Sequence, residues 1–359
     1  MVEGLVILIV AGILAEYAMF VWRTVSTSRF GNDPTSAFER PQLTVLIPCR
    51  NEAENLGALL HDLAGQTHPV QVLVIDDHSE DGTRQVAEQS GPVVRCISSN
   101  GIGKKAALAT GHAEVQTPWM ATLDADVRLE PGWAAAMLSA TANSSAVLGP
   151  VALVAEPNDS WERFQALEYG AMMVWIASGV RQGKLAMGSG ANSLYATAEY
   201  PVDALHPEQA SGDDGFALVA LKRRGKRIAW CGKSGAIAVT RPVPSWKALW
   251  QQRARWASKT GGQDALTRRT ATRVAVHHMG GIAILGLSLA DPRGWPLALA
   301  FWSVKALLDG RMIRSAARMF GLAMCPIDRL TFTPRYAMLV FGAWWELLAQ
   351  RVDWKGRRI

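Results

Sequence analysis

VQVLVIDDHSEDGT, residues 70–83, joins a β-rich apolar run to a cluster of acids and turn residues. Residues 70–76 read as a strand that runs straight into Asp76 and Asp77, and a segment of helical composition opens after Ser79. The same grammar recurs on either side. LTVLIP (43–48), VVRCI (93–97) and WMATLD (119–124) are strand-like. The first three of the four strands each precede a segment rich in Ala, Leu, Glu and Gln, opening after Asn51, Ser79 or Gly103. Such alternation predicts an α/β domain with a mostly parallel sheet over residues 41–260, with ligands bound beyond the carboxyl ends of the strands. No internal repeat and no low-complexity tract is present.

The chain has 359 residues, with 37 Lys+Arg against 31 Asp+Glu and a net charge of +6. That length suits one large or two ordinary domains with a full core. Apolar residues make up 49% and charged residues 19%, which excludes disorder and a fibrous repeat. Cys49, Cys96, Cys231 and Cys325 lie far apart with no C-x-x-C pair. A disulfide framework, a zinc knuckle and a dithiol redox motif are excluded, and the thiols read as reduced and cytosolic.

The apolar residues concentrate at the two ends. Residues 4–22, GLVILIVAGILAEYAMFVW, carry one charge, Glu16. At about 1.5 Å per residue they nearly cross a hydrocarbon core of about 30 Å. Only Val2 and Glu3 stand before this run where a secretory signal would carry a basic region, and Arg23, Arg29 and Arg40 follow it. Residues 1–23 are therefore expected to form a transmembrane helix with its N-terminus outside, and residues 24–40 a linker on the cytoplasmic side. Residues 261–359 are expected to form a second membrane region containing the apolar stretches 274–290, 295–308 and 336–349. The first two, divided by the turn-like DPRG of 291–294, read as a hairpin. Arg311, Arg314 and Arg318, then Arg351, Lys355, Arg357 and Arg358, belong on the cytoplasmic side, which requires an even number of crossings. The third stretch, with Trp344 and Trp345, is then interfacial or re-entrant. Buried helices of a soluble protein are the alternative.

Three acidic sites carry the chemistry. Asp76 and Asp77 stand at the mouth of the sheet, where acceptor oxygens suit a uracil imide or ribose hydroxyls, while Asp81 and Gly82 supply turn and cap chemistry. Asp124 and Asp126 form a D-x-D at the end of the fourth strand. In extended chain both would face one side and converge on a hard divalent cation whose shell a nucleoside diphosphate completes. Asp213 and Asp214 precede an apolar helical segment, 216–221. One acid can cap that helix, and the other is a candidate general base for an attacking hydroxyl.

Gly101-Ile102-Gly103-Lys104-Lys105-Ala106 formally matches the dinucleotide fingerprint G-x-G-x-x-A. It follows a third strand instead of the first, and its paired lysines suit a pyrophosphate leaving group. Gln252-Arg253-Ala254-Arg255-Trp256 adds an amide, guanidinium groups able to neutralise phosphate, and an indole face on which a sugar can stack.

In order, IPCRNEAENL, VIDDHSEDGT, GKKAAL, LDAD, GSGANSLY, SGDDGFAL and QRARW resemble the membrane-bound inverting glycosyltransferases of family 2, which have a GT-A fold. The resemblance covers residues 41–256. It implies a nucleotide-sugar-binding domain flanked by membrane helices. It implies that Asp76 and Asp77 hold the nucleoside, with Pro48, Arg50, Glu52, Lys104 and Asp124 also near the nucleotide. It further implies that Asp124 and Asp126 bind Mg²⁺ or Mn²⁺, that Asp214 is the base, and that Asp213, Gln252, Arg255 and Trp256 serve the acceptor and diphosphate. Arg50 departs from the family, many of whose members have an aromatic before Asn-Glu.

The implied reaction is a single in-line displacement from a nucleotide sugar, expected to be a UDP-sugar, with inversion at the anomeric carbon. The expected setting is the cytoplasmic face of a bacterial inner membrane. The acceptor is expected to be a lipid hydroxyl, since one N-terminal span and three short C-terminal segments are too few to enclose a polymer channel alone. A processive polysaccharide synthase subunit, a catalytically silent nucleotide-sugar-binding membrane subunit and an NAD oxidoreductase are the alternatives. No nucleic-acid partner is expected, and a protein partner stays open.

Overall fold

The computed structural model describes residues 2–27, 42–185, 187–205, 212–258, 265–349, 353–354 and 357–358. Helix α1 (Val2–Thr27) comes first. Three strand–helix repeats follow: β1 (Leu43–Cys49) with α2 (Ala53–Ala64), β2 (Gln71–Asp76) with α3 (Thr83–Glu88), and β3 (Val94–Ser98) with α4 (Lys104–Ala113). Next come β4 (Trp119–Thr122), β5 (Arg128–Leu129), α5 (Trp133–Leu138), β6 (Ala146–Leu148), β7 (Val151–Leu153) and α6 (Ser160–Arg181). Then follow β8 (Ser193–Ala196), α7 (Asp213–Arg223), β9 (Ile228–Trp230), β10 (Ala238–Thr240) and α8 (Trp246–Ala257). Three long helices succeed them, α9 (Ala265–Ala290), α10 (Trp295–Phe320) and α11 (Pro326–Leu348).

The chain divides into two compact units. One comprises Phe30–Val154 and Gly179–Arg241, the other Met1–Arg29, Ala155–Ser178 and Pro242–Ile359.

The first unit is the α/β one. Its seven-stranded sheet has the order β3-β2-β1-β4-β8-β6-β9. β1 pairs in parallel with β2 and β4, β2 with β3, and β6 with β9, whereas β8 runs antiparallel to β4 and β6. The mostly parallel sheet is as expected, and the four strands legible in the sequence make up four adjacent strands of its seven. Leu56, Leu59, Leu60 and Leu63 of α2 fall on one helical face and are buried. Full burial of each such leucine stabilises the fold by about 1.5–3 kcal/mol. A small second sheet, β5-β10-β7, lies beyond the end of β4 in sequence.

The second unit is helical. Phe164 and Leu167 of α6, Leu249 of α8, Ile313 of α10, and Phe332 and Leu339 of α11 form its buried core, with Trp161, Trp246 and Trp250 packed against it. Gly342 is required there, because a Cβ would sit 2.3 Å from the Trp250 ring. This packing explains a difference from the expected domain of residues 41–260: residues 155–178 and those after 241 group with the terminal helices.

The terminal helices also run longer than their apolar stretches, 26, 26 and 23 residues for α9, α10 and α11. Buried charges within them enter two close pairs, Lys305–Asp309 at 2.7 Å and Arg163–Asp328 at 3.0 Å, which let α10 and α11 continue through those positions. The turn between α9 and α10 is there, capped by Asp291 accepting from the Arg293 N–H. Among the described residues, α1 over Val6–Thr27 and α9 over Ala265–Ala290 are long and apolar enough to cross a membrane. The expected second arm of the hairpin, α10, is not in that group. Arg29, Arg40, Arg351 and Lys355 lie outside the described residues.

Candidate functional site

β2 delivers Asp76 and Asp77 to the end of the sheet, where both are buried, at 7% and 2% exposure. Asp76 accepts from the Ser79 N–H at 3.1 Å, and the Arg84 Nε stands 3.6 Å from it. Both oxygens of Asp77 accept from the Gly103 N–H, at 3.0 and 2.9 Å, and His78 Nδ1 lies 3.3 Å away. The surrounding loops are bent into left-handed backbone at Asn51 (φ +52°) and His78 (φ +57°). Non-glycine residues adopt this only when neighbours hold them. Here the Asn51 N–H donates to Ser79 Oγ at 3.0 Å and the Glu80 N–H donates to Asn51 Oδ1 at 2.9 Å.

Asp81 supplies the expected cap and a second one. It accepts from the Thr83 N–H at 2.9 Å and from the Ala53 N–H of α2 at 3.1 Å. Burial works to raise its pKa, but the bonds from the Thr83 hydroxyl and from these N–H groups prevail and hold the carboxyl below its usual range. Arg50 reaches the Asp77 carbonyl at 3.4 Å and lies 3.9 Å from Glu80. The Glu52 N–H donates to Thr83 Oγ1 at 2.8 Å, and Pro48 sits in β1 opposite Ile75.

The N-terminus of α4 bonds two of the acidic sites and reaches the helix that carries the third. Gly103 (φ +96°) gives its N–H to Asp77. Lys104 donates to Asp124 Oδ1 at 2.5 Å. Lys105, 3% exposed, lies 4.5 Å from the ring centroid of Phe216, two residues beyond Asp214 on α7. The same contacts argue against a dinucleotide at Gly101–Gly103. A buried carboxylate already occupies the N–H that a pyrophosphate would need, and the loop follows the third strand.

β4 ends at Thr122, so Asp124 and Asp126 lie in a turn, with the Val127 N–H facing the Asp124 carbonyl at 3.4 Å, and not in the extended chain expected. Asp126 accepts from Thr240 Oγ1 of β10 at 2.9 Å. Desolvation by the surrounding chain, and then the negative charge of Asp124, raise its pKa, although the side chain still meets solvent. A divalent cation would relieve that repulsion, and the two hard oxygen donors fit Mg²⁺ or Mn²⁺. Among the described residues no third His, Cys, Asp or Glu joins them, so a ligand's oxygens or water would complete the shell.

Asp214 lies in the first turn of α7, whose N-cap is Gly212 in left-handed backbone (φ +91°). Neither acid of the pair is therefore the cap. Asp214 Oδ2 accepts from the Gly190 N–H at 3.0 Å and Oδ1 from the Gly215 N–H at 2.8 Å. The side chain of Asp213, and Ser211 altogether, lie outside the described residues. In the same GSGANSLY segment Asn192 is fully buried. It donates to the Pro150 and Ala236 carbonyls, both at 2.8 Å, and accepts from Trp133 Nε1 at 3.0 Å.

Gln252, Arg255 and Trp256 lie on α8, in the helical unit. The organising side chain there is Arg253. It forms a two-bond ion pair with Glu168 of α6, donates to Gln252 Oε1, and stacks 4.2 Å over the Trp256 ring. Glu168, Asn192 and Thr240 carry no role in the sequence reading, and Arg253 enters it only as a phosphate-neutralising guanidinium. Glu168 had a local signal, as a lone acid in the mostly apolar run of residues 164–180, and Thr240 had none.

Residues 44–196 match the family model described as glycosyl transferase family 2. A stretch of 97 residues is 38% identical to the 4,4'-diaponeurosporenoate glycosyltransferase of Staphylococcus aureus (strain Newman), covering 26% of this chain and 26% of the relative. The chain thus matches about a quarter of the length of that curated relative. A mannosyltransferase from Pyrobaculum calidifontis, solved with GDP-Man and Mn²⁺, superimposes with a TM-score of 0.56 at 17% identity, covering 97% of this chain and 99% of the other. At that identity the likeness is one of fold, and the fold is of the GT-A type.

Proposed function

We propose that this chain, which belongs to glycosyl transferase family 2 through its residues 44–196, moves a sugar from a nucleotide-sugar donor, a UDP-sugar, to an acceptor hydroxyl with inversion. The observation that carries this reading is the contact of one helix end, Gly103 to Lys105, with Asp77, with Asp124 and with the first turn of the Asp214 helix. Asp76 and Asp77 shape the nucleoside end. Asp214 takes the proton of the acceptor hydroxyl, the freed oxygen bonds to the anomeric carbon, and the bond from that carbon to the diphosphate breaks. Lys104 places an ammonium where the leaving diphosphate gathers charge. Asp124 and Asp126 would hold Mg²⁺ or Mn²⁺, which when bound neutralises the same charge. Gln252, Arg255 and Trp256 are assigned to the acceptor side.

The acceptor is a membrane lipid and the protein an integral membrane one, with the α/β unit on the cytoplasmic side. Two apolar helices of membrane-spanning length and the similarity to a 4,4'-diaponeurosporenoate glycosyltransferase support this. The test uses the full chain in detergent with Mn²⁺, a panel of nucleotide sugars and a lipid extract, followed by product mass analysis. Organic-soluble labelled lipid is the expected product. High-molecular-weight glycan would replace the lipid acceptor with a growing polymer, and the absence of any metal-dependent sugar transfer would leave a silent binding subunit. Asp214→Asn and Asp124→Ala are each expected to abolish transfer with circular dichroism unchanged, and wild-type turnover from either would reject the assignment.

A further inference from the structure

One exposed face of α10 changes its chemistry partway along. Ala300, Val304, Leu307, Arg311, Arg314 and Arg318 are spaced by four and three residues, share a helical face, and are all exposed. The change from alkyl to guanidinium falls between Leu307 and Arg311, about 6 Å of helix rise. Among the described residues no ion pair involves Arg311, Arg314 or Arg318, whereas Lys305, buried in the bundle, bonds Asp309 at 2.7 Å. Arg273, on the α9 side facing α1, bonds the exposed Glu16 at 2.7 Å.

The neighbouring helices carry the same change at the same level. α9 runs antiparallel to α10, because Gly294 abuts Ser288 while Trp302 Nε1 donates to the Gly281 carbonyl. α1 runs antiparallel to α9, since Ile13 meets His277 at 3.1 Å and Glu16 meets Arg273. Tyr17 of α1 donates to Asp309 at 2.5 Å, which sets α1 against α10. Continuing these registers by one to two turns brings exposed Arg23 of α1 and exposed Arg268 and Arg269 of α9 level with the arginines of α10. Trp22, 69% exposed, stands beside Arg23. At the other end exposed side chains include Leu8, Leu289 and Leu299, and the arginine there, Arg293, is paired with Asp291.

We propose that this collar of Arg23, Arg268, Arg269, Arg311, Arg314 and Arg318 binds the headgroups of anionic phospholipids in the leaflet at that end of the helical unit. The inference rests on the membrane reading above. Guanidinium groups grip phosphate oxygens in pairs, and a ring of them bordering an apolar belt matches a negatively charged bilayer surface. A zwitterionic headgroup has the phosphate but no net charge for the collar to neutralise.

The experiment reconstitutes the full chain into phosphatidylcholine vesicles containing a minor fraction of brominated phosphatidylglycerol or, separately, brominated phosphatidylcholine, and reads quenching of tryptophan fluorescence. The anionic probe is expected to be preferred by about fivefold, the order expected of one basic side chain near a charged surface. That preference is expected to weaken in R311Q/R314Q/R318Q, which keeps half of the collar, and to vanish at about 1 M salt, where the screening length falls to about 3 Å. Equal quenching by the two probes overturns the collar and leaves the transferase reading standing. Failure of the chain to enter vesicles once detergent is removed overturns the collar and the membrane reading together.

Discussion

Arg253 is held between a carboxylate and an indole. Its Nε donates to Glu168 Oε1 at 3.2 Å while its guanidinium lies 4.2 Å over the ring of Trp256, and it also donates to Gln252. The Arg253 and Glu168 side chains are only 11% and 7% exposed. The pair thus orients two of the three residues assigned to the acceptor. Glu168→Gln leaves a buried guanidinium without its counter-charge and is expected to cost about 3 kcal/mol, read as a lowered melting temperature in detergent. The apolar double variant E168L/R253M is expected to recover most of that stability and little of the turnover. Recovery of both would make the pair purely structural.

Lys104 is a resident cation on Asp124. Lys104→Met removes the competitor, so Mn²⁺ measured without nucleotide should bind more tightly, while turnover falls by about 10- to 100-fold as charge opposite the leaving diphosphate is lost. Unchanged Mn²⁺ affinity would show that the two cations do not compete for Asp124.

Gly149 faces Asn192 so closely that a Cβ would lie 2.2 Å from its Nδ2. Moving Asn192 breaks its bonds to Pro150, Ala236 and Trp133 together. Gly149→Ala is expected to destabilise the α/β unit by about 3 kcal/mol, lowering its melting temperature. An unchanged melting temperature would mean that the Asn192 network tolerates the methyl group.

Asp62 joins α2 to β5 just after the D-x-D turn. It accepts from Arg128 Nε at 2.6 Å and Nη2 at 2.7 Å and from the Leu129 N–H at 3.0 Å. Burial alone would raise its pKa, but these donors outweigh it and hold the carboxyl below its usual value. Its contribution to stability is therefore complete above the unfolded value of about 3.9 and is lost as pH falls through the lower folded value. Because Arg128 is 58% exposed, that contribution is about 1 kcal/mol. Asp62→Asn should flatten the acid limb of the melting-temperature profile and leave the neutral region lower by that amount; an unaltered acid limb would remove Asp62 from the account.

Much of the α/β unit was readable from residue order. Strands β1 to β4 are apolar runs of four to seven residues, each with its own boundary signal, and the acids stand at or just past their ends. The second sheet was not readable, because strands of two or three residues such as β5, β7 and β10 are too short to show a period. β8 was hidden by the glycine and serine preceding it, and its antiparallel insertion follows from pairing with β4 and β6. The D-x-D reading identified both acids but misjudged their backbone, since a strand's end cannot be located to within two residues by composition.

Local pattern alone was enough for the alternation of strands and helices, the apolar ends and the three acidic sites, because burial periodicity and strand-end placement are written within a few consecutive residues. The folded arrangement was needed to learn that α6 and α8 group with the terminal helices and that Lys104 stands on Asp124. It was needed likewise for the pairing of Arg253 with an acid 85 positions away. Such partnerships depend on which faces pack together. A buried pair such as Arg253–Glu168 is stable because packing brings its two charges together, and no short stretch of sequence carries that information.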